Sequence, residues 1–208
     1  MRATHPVESI LGTRGKILVL RVLNGVQVPL SAAQVARHTG LTRPAAAAAL
    51  DALETVGVVA STLTGRSRAY WLQRESAYVD RIVAPALLAE ETMGDAMERD
   101  LREAFGSLSV SVVVFGSYAR QVQDASSDVD VVLVAADPQA KRDLEEATYR
   151  ESGRFHRRWG AVLSPLVYDL AYAGRLHVTS PGLYAEIERD GAVVSGLSPW
   201  EWRIDASK

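Results

Sequence analysis

Two aspartates with one residue between them, Asp128 and Asp130, open the apolar run Val131–Ala136. Upstream, Gly116-Ser117 abruptly ends another apolar run made of Val110, Val112, Val113, Val114 and Phe115. The pattern predicts a strand, a tight turn with a short helix, then a second strand. Alternate residues of a strand point to the same side, so the two carboxylates share one. Such a pair can hold one or two divalent cations through oxygen. A Gly-Ser turn offers backbone N–H groups and a hydroxyl, which suit a phosphate. Together they are the minimum equipment for metal-assisted transfer of a nucleotidyl group. The plain alternative is a hairpin with an acidic turn, in which Asp128 merely begins a strand.

The ordered set Phe115, Gly116, Ser117, Ala119, Arg120, Ser127, Asp128 and Asp130 resembles the signature of the DNA polymerase β nucleotidyltransferase superfamily, and its minimal nucleotidyltransferase branch most. Gln121 departs from the pattern, where that family usually has glycine. The resemblance covers residues 95–196 and implies a mixed sheet with helices on one side. It implies Mg²⁺ or Mn²⁺ on Asp128 and Asp130, and the triphosphate of ATP or another NTP on Gly116 and Ser117. Arg120 would face phosphate or pair with a carboxylate. Most active members add a third carboxylate from the neighbouring strand, and that position falls near Ser164 or Pro165 here. Asp169 is the acid close by; it either joins Asp128 and Asp130 in catalysis or caps a helix.

Two modules must position these groups. Residues 1–75 carry nine Lys/Arg against four Asp/Glu, a surplus of +5, which leaves −7 for the rest of a chain of net charge −2. A basic front and an acidic back suggest modules with different partners. In the front, Ile10, Leu11, Ile17, Leu18, Leu20, Val22 and Leu23 lie mostly on one side of a helix over residues 7–23, closed by Gly25. Ser31 is an expected N-cap for residues 32–38, and Thr42 for a helix with Pro44 in its first turn that runs to Gly57. Residues 58–63 and 69–72 read as a hairpin with the basic tip Arg66-Ser67-Arg68. The arrangement resembles the winged helix-turn-helix of MarR- and ArsR-like regulators. That likeness implies Thr42 and Arg43 near DNA bases and Arg66 and Arg68 on phosphates or in the minor groove. Between the modules, Val79, Ile82, Val83, Ala86 and Leu87 form one apolar patch, with room to pack between domains or across a dimer, although packing into a core is the plainer reading of this patch and of the next. Met93, Met97, Leu101 and Phe105 form another, expected beneath the strand Val110–Val114.

The expected fold class is therefore α+β. A winged helix-turn-helix over 1–75 and a connecting, dimerising helix over 76–106 precede a polymerase-β-like nucleotidyltransferase mixed sheet with helices over 107–208. Cysteine is absent, which excludes disulfides and thiolate metal sites. No apolar run approaches the roughly 20 residues that span a bilayer, and no signal-peptide core opens the chain, so a cytoplasmic protein without membrane contact is expected. The leading functional expectation is a DNA-binding enzyme that moves NMP, AMP first, from an NTP to a protein or small-molecule hydroxyl. Its expected partners are double-stranded DNA, nucleotide, a second copy of itself and, by the resemblance, a HEPN-type toxin whose antitoxin it would be while regulating its own operon. The alternative is a transcriptional regulator whose degenerate nucleotidyltransferase-like domain senses nucleotide. A drug-modifying transferase ranks lower, because little chain is left for a drug-binding domain.

Overall fold

Gly12 and Thr13 split the first apolar stripe. Thr13 is extended and its hydroxyl accepts from Lys16 N, so a new helix starts where one continuous helix was expected. In the computed structural model, which describes residues 5–65, 67–116 and 128–205, α1 covers Pro6–Leu11 and α2 Arg14–Asn24. The chain divides into two units, Met1–Met93 and Gly94–Lys208.

In the first unit, Ser31 and Gln34 form a capping box at the start of α3 (Ala32–Thr39), and Gly40 closes it at φ +70°. Thr42 caps α4 (Arg43–Thr55) by accepting from Ala45 N, with Pro44 tolerated in the first turn. A two-residue strand β1 (Leu30–Ser31) and the hairpin β2 (Val59–Thr64) and β3 (Ser67–Leu72) make an antiparallel sheet in the order β1-β3-β2. Val19, Leu20, Leu23, Val35, Ala46, Leu50, Leu53, Tyr70 and Leu72 are buried together in its core. Three helices and a flanking wing of this order form a winged helix-turn-helix.

The first apolar patch of the connector belongs to this core, the plainer of the readings open to it in the sequence. Val79 and Val83 lie in a π-helical turn at Val79–Val83, and Leu87 in α5 (Ala84–Glu91); all three are buried with the front cluster. Pro85 has no N–H to give the preceding turn, and the widened turn lets the helix pass it.

In the second unit, α6 (Met93–Phe105) buries Met97, Leu101 and Phe105 against a four-stranded sheet. Its strands are β4 (Ser111–Phe115), β5 (Val129–Ala135), β6 (Leu163–Asp169) and β7 (Ala192–Gly196), in the order β6-β5-β4-β7. β5 and β6 are parallel and the other pairs antiparallel. The long crossover from β5 to β6 is α7 (Pro138–Trp159), opened by Asp137, which accepts from Gln139 N and Ala140 N, and closed by Gly160.

Helices cover both faces of this sheet, not one. Val112, Val114, Val129, Val131, Leu133 and Ala135 meet α6 and α7. Val113, Phe115, Val132 and Val134 meet Ala173 of α8 (Leu170–Ala173), Leu176 of α9 (Leu176–Thr179), Tyr184 and Ile187 of α10 (Pro181–Asp190), and Trp202 of α11 (Trp202–Asp205). The cause is in the sequence: β4 and β5 are apolar at consecutive positions, so both faces need cover. β6 ends the sheet and contains Pro165. Val129 N donates to Val162 O at 2.8 Å. The even-numbered residues of β6 therefore turn their amides to β5, and the missing N–H of Pro165 falls on the free side.

Candidate functional site

Phe115 at the end of β4 pairs with Asp130 across the β4–β5 ladder. The next residue, Gly116, is buried and left-handed at φ +74°. A Cβ there would overlap Asp130 Oδ2. Glycine thus lets the backbone pass directly against a carboxylate, in a conformation that other residues rarely adopt. Asp130 is half-buried, and Asp128, just before β5, is exposed. By strand parity the two carboxylates lie on the side of the sheet that carries Val132 and Val134. Ser117 and Arg120 lie outside the described residues, as does Ser127.

These groups fit a divalent cation in kind: two carboxylates on one side of one strand end, one of them lying directly against the Cα of Gly116. Among the described residues, no group of three or more His, Asp or Glu side chains is placed to hold a metal by itself.

The parallel register sets Ser164 opposite Asp130. In-register neighbours of a parallel pair share a face, so the position beside Asp130 where a third carboxylate would stand holds a half-buried serine. Asp169 is elsewhere. Its register partner is Ala135, five residues along β5 from Asp130 and of the opposite parity, roughly 16 Å away along the strands. Its carboxylate accepts from Tyr172 N at 2.8 Å and caps α8. Of the two roles open to Asp169 in the sequence, its geometry is that of the cap, because the chain turns from strand into helix there and needs an acceptor for the first free N–H groups.

In the first unit, Thr42 and Arg43 are exposed at the N-terminal end of α4, the second helix of the motif. The exposed face continues through Pro44, Ala45, Ala48, Asp51 and Thr55. Arg66 lies outside the described residues. Arg68 is exposed on the wing, but its guanidinium is turned onto α4: Nη2 donates to Glu54 Oε2 at 2.7 Å and Oε1 at 2.9 Å and to Ser61 Oγ at 2.8 Å. Sequence reasoning did not find this network; the signal for it was two acids three residues apart, Asp51 and Glu54, on an otherwise alanine-rich helix. Near the end of α7, two arginines and a tryptophan are likewise engaged within their own unit. Trp159 Nε1 donates to Asp100 Oδ2 at 2.9 Å, Arg158 pairs with the same carboxylate, and Arg154 pairs with Glu151.

Residues 96–190 match the family described as the nucleotidyltransferase domain. The second unit is accordingly a nucleotidyltransferase domain, and the chain joins it to a winged helix-turn-helix. Among solved structures, the chain is similar to the homodimeric winged helix-turn-helix DNA-binding domain of a possible ArsR-family transcriptional regulator from Mycobacterium bovis, at 22% identity, over 42% of this chain and 77% of that one, with a TM-score of 0.35. A crystal structure of a fragment of a possible transcriptional regulatory protein from Mycobacterium bovis is 23% identical over 41% of this chain and 88% of its own, at TM-score 0.35. A toxin-antitoxin crystal structure with AMP-PNP is 20% identical over 55% of this chain and 81% of its own, at TM-score 0.34. Among curated proteins none matches. No helix among the described residues is long and apolar enough to cross a membrane.

Proposed function

We propose that this protein is a DNA-binding nucleotidyltransferase that moves NMP, with AMP the first candidate, from an NTP to a hydroxyl of a protein or small molecule. The observation that carries the reading is Gly116 at positive φ abutting Asp130 across the β4–β5 pair, with Asp128 on the same side. In this reading Asp128 and Asp130 hold Mg²⁺ or Mn²⁺, which neutralises phosphate charge. Gly116, Ser117 and Arg120 bind the triphosphate. An acceptor oxygen forms a bond to the α-phosphorus, the bond to pyrophosphate breaks, and the hydroxyl proton is released. The winged helix binds double-stranded DNA through Thr42, Arg43 and Arg66, as a homodimer on paired half-sites. An antitoxin that modifies a HEPN-type toxin and regulates its own operon is the biological form of this reading.

Ser164 favours a second reading. A serine hydroxyl beside Asp130 is no base at neutral pH, so the domain would bind NTP and report it to the DNA reader without transferring anything. One experiment separates the two. The full chain is incubated with each NTP labelled at the α-phosphorus, with Mg²⁺ or Mn²⁺, in lysate of its own host, and label on protein or small molecules is followed. Transfer lost in Asp128→Ala/Asp130→Ala supports the enzyme. Metal-dependent NTP binding without transfer supports the sensor. Neither binding nor transfer, with all four NTPs, would refute both.

A further inference from the structure

The wing arginine Arg68 has one terminal nitrogen, Nη2, engaged within the wing and α4 before any partner arrives. Besides Glu54 and Ser61, its Nη1 lies 3.5 Å from Asp51 Oδ1, and its guanidinium carbon sits 5.3 Å from the centre of the Tyr70 ring. Ser61 in turn donates to Glu54 Oε1 at 2.7 Å. The group therefore ties β2, β3 and α4 into one network. A lone exposed ion pair is worth little. Here one nitrogen of a planar cation bonds both oxygens of one carboxylate, its other terminal nitrogen lies near a second, and the guanidinium sits over an aromatic ring, which restricts its geometry.

The charge count on α4 shows what this does. The helix carries one cation, Arg43, and two anions, Asp51 and Glu54. Asp51 is on the exposed face that continues from Thr42 and Arg43, the face that DNA would meet. Left alone, the two carboxylates would repel a polyanion at a range inside the roughly 10 Å screening length of ordinary salt. An arginine that swung out to a phosphate would strand both of them there.

We propose that Arg68 is a positioning residue that makes no phosphate contact of its own. It seats the wing on α4 and offsets one of the two negative charges of Asp51 and Glu54, so its contribution to DNA binding is indirect. The inference rests on the reading of this unit as a DNA binder and reassigns one of its expected contacts.

The test uses the full chain and a fluorescein-labelled duplex set tiled from the DNA upstream of its own coding sequence, titrated by anisotropy across a salt series. Arg68→Gln should weaken binding by about tenfold, the effect of exposing two anions to the phosphates. Asp51→Asn/Glu54→Gln/Arg68→Gln should recover to within about threefold of wild type, with the same slope of log affinity against log salt. A triple variant as weak as Arg68→Gln, with a slope smaller by about 0.9, would overturn the proposal, because that is the signature of one lost phosphate contact. The triple variant replaces charges by neutral groups of the same shape, so it stays informative if Arg68→Gln alone unfolds. Failure of the wild-type chain to bind any duplex would remove the DNA reading itself, and this inference with it; the wild-type titration tells the two failures apart.

Discussion

Gly116 does with one missing methyl what no other residue could do at that place. It takes a left-handed conformation and leaves room for the Asp130 carboxylate against its Cα. Gly116→Ala should therefore move Asp130, and Mg²⁺-dependent ATP binding measured by calorimetry should fall by at least tenfold. The strained backbone should add a stability loss of about 1–2 kcal/mol. Binding at the wild-type level would show that the carboxylate is not held for nucleotide. Asp169 makes the opposite kind of prediction. Asp169→Ala removes the α8 cap and should cost about 1 kcal/mol in thermal unfolding, while nucleotide binding stays as it was. Lost nucleotide binding or transfer at unchanged stability would instead return Asp169 to the catalytic set. The Gly-Ser and Asp-x-Asp spacing was legible in the sequence because it is local. The place of Ser164 was legible only to within a residue. The reach of Asp169 was not legible, because it depends on the β5–β6 register, which pairs residues far apart in the chain.

At the level of elements, caps and stops were the easiest features to read. Ser31 and Thr42 cap the helix starts, and Gly25 the helix end, that their chemistry suits. The breaks were harder. Gly12-Thr13 and the π-helical turn before Pro85 interrupt stripes whose periodicity alone continues through them. The short helices α8 and α9 have too few turns to show a period at all. A surface pair joins α2 to α5: Arg21 bonds Glu90 through Nε to Oε2 at 2.8 Å and through Nη2 to Oε1. The hydrogen bond from Arg21 and its charge hold the Glu90 carboxyl below its ordinary range. A depressed carboxyl adds stability that is present above the unfolded value, about 4.3, and lost as pH falls through the lower folded value. Both side chains are about half exposed, so the contribution is no more than about 0.5 kcal/mol. Glu90→Gln should flatten the acid side of the melting curve of the first unit slightly. An identical pH profile would show that the pair contributes nothing.

At the level of the whole molecule, buried clusters that each stay within one unit predict two separable activities. The front cluster is closed by α5, and the clusters on the two faces of the β6-β5-β4-β7 sheet are closed by the helices of the second unit. Asp128→Ala/Asp130→Ala should abolish metal-nucleotide binding and leave DNA binding within about twofold. Loss of both, with melting unchanged, would contradict two independent modules. The division into a basic front and an acidic back was already visible in the charge distribution. The division of the connector was not, because both of its apolar patches look alike until each finds its core.

Pro165 bears on how copies of this protein behave in a crowded solution. An outer strand with a full row of outward donors is a template on which another chain can add itself. Proline at this place removes one donor from that row and interrupts it. Pro165→Val should leave the melting temperature of the fold near wild type but make light scattering climb with protein concentration; equal scattering at every concentration would show that the edge is protected by something else. A residue that contributes no inward hydrogen bond to its own sheet would then be what keeps the sheet from growing beyond a single molecule.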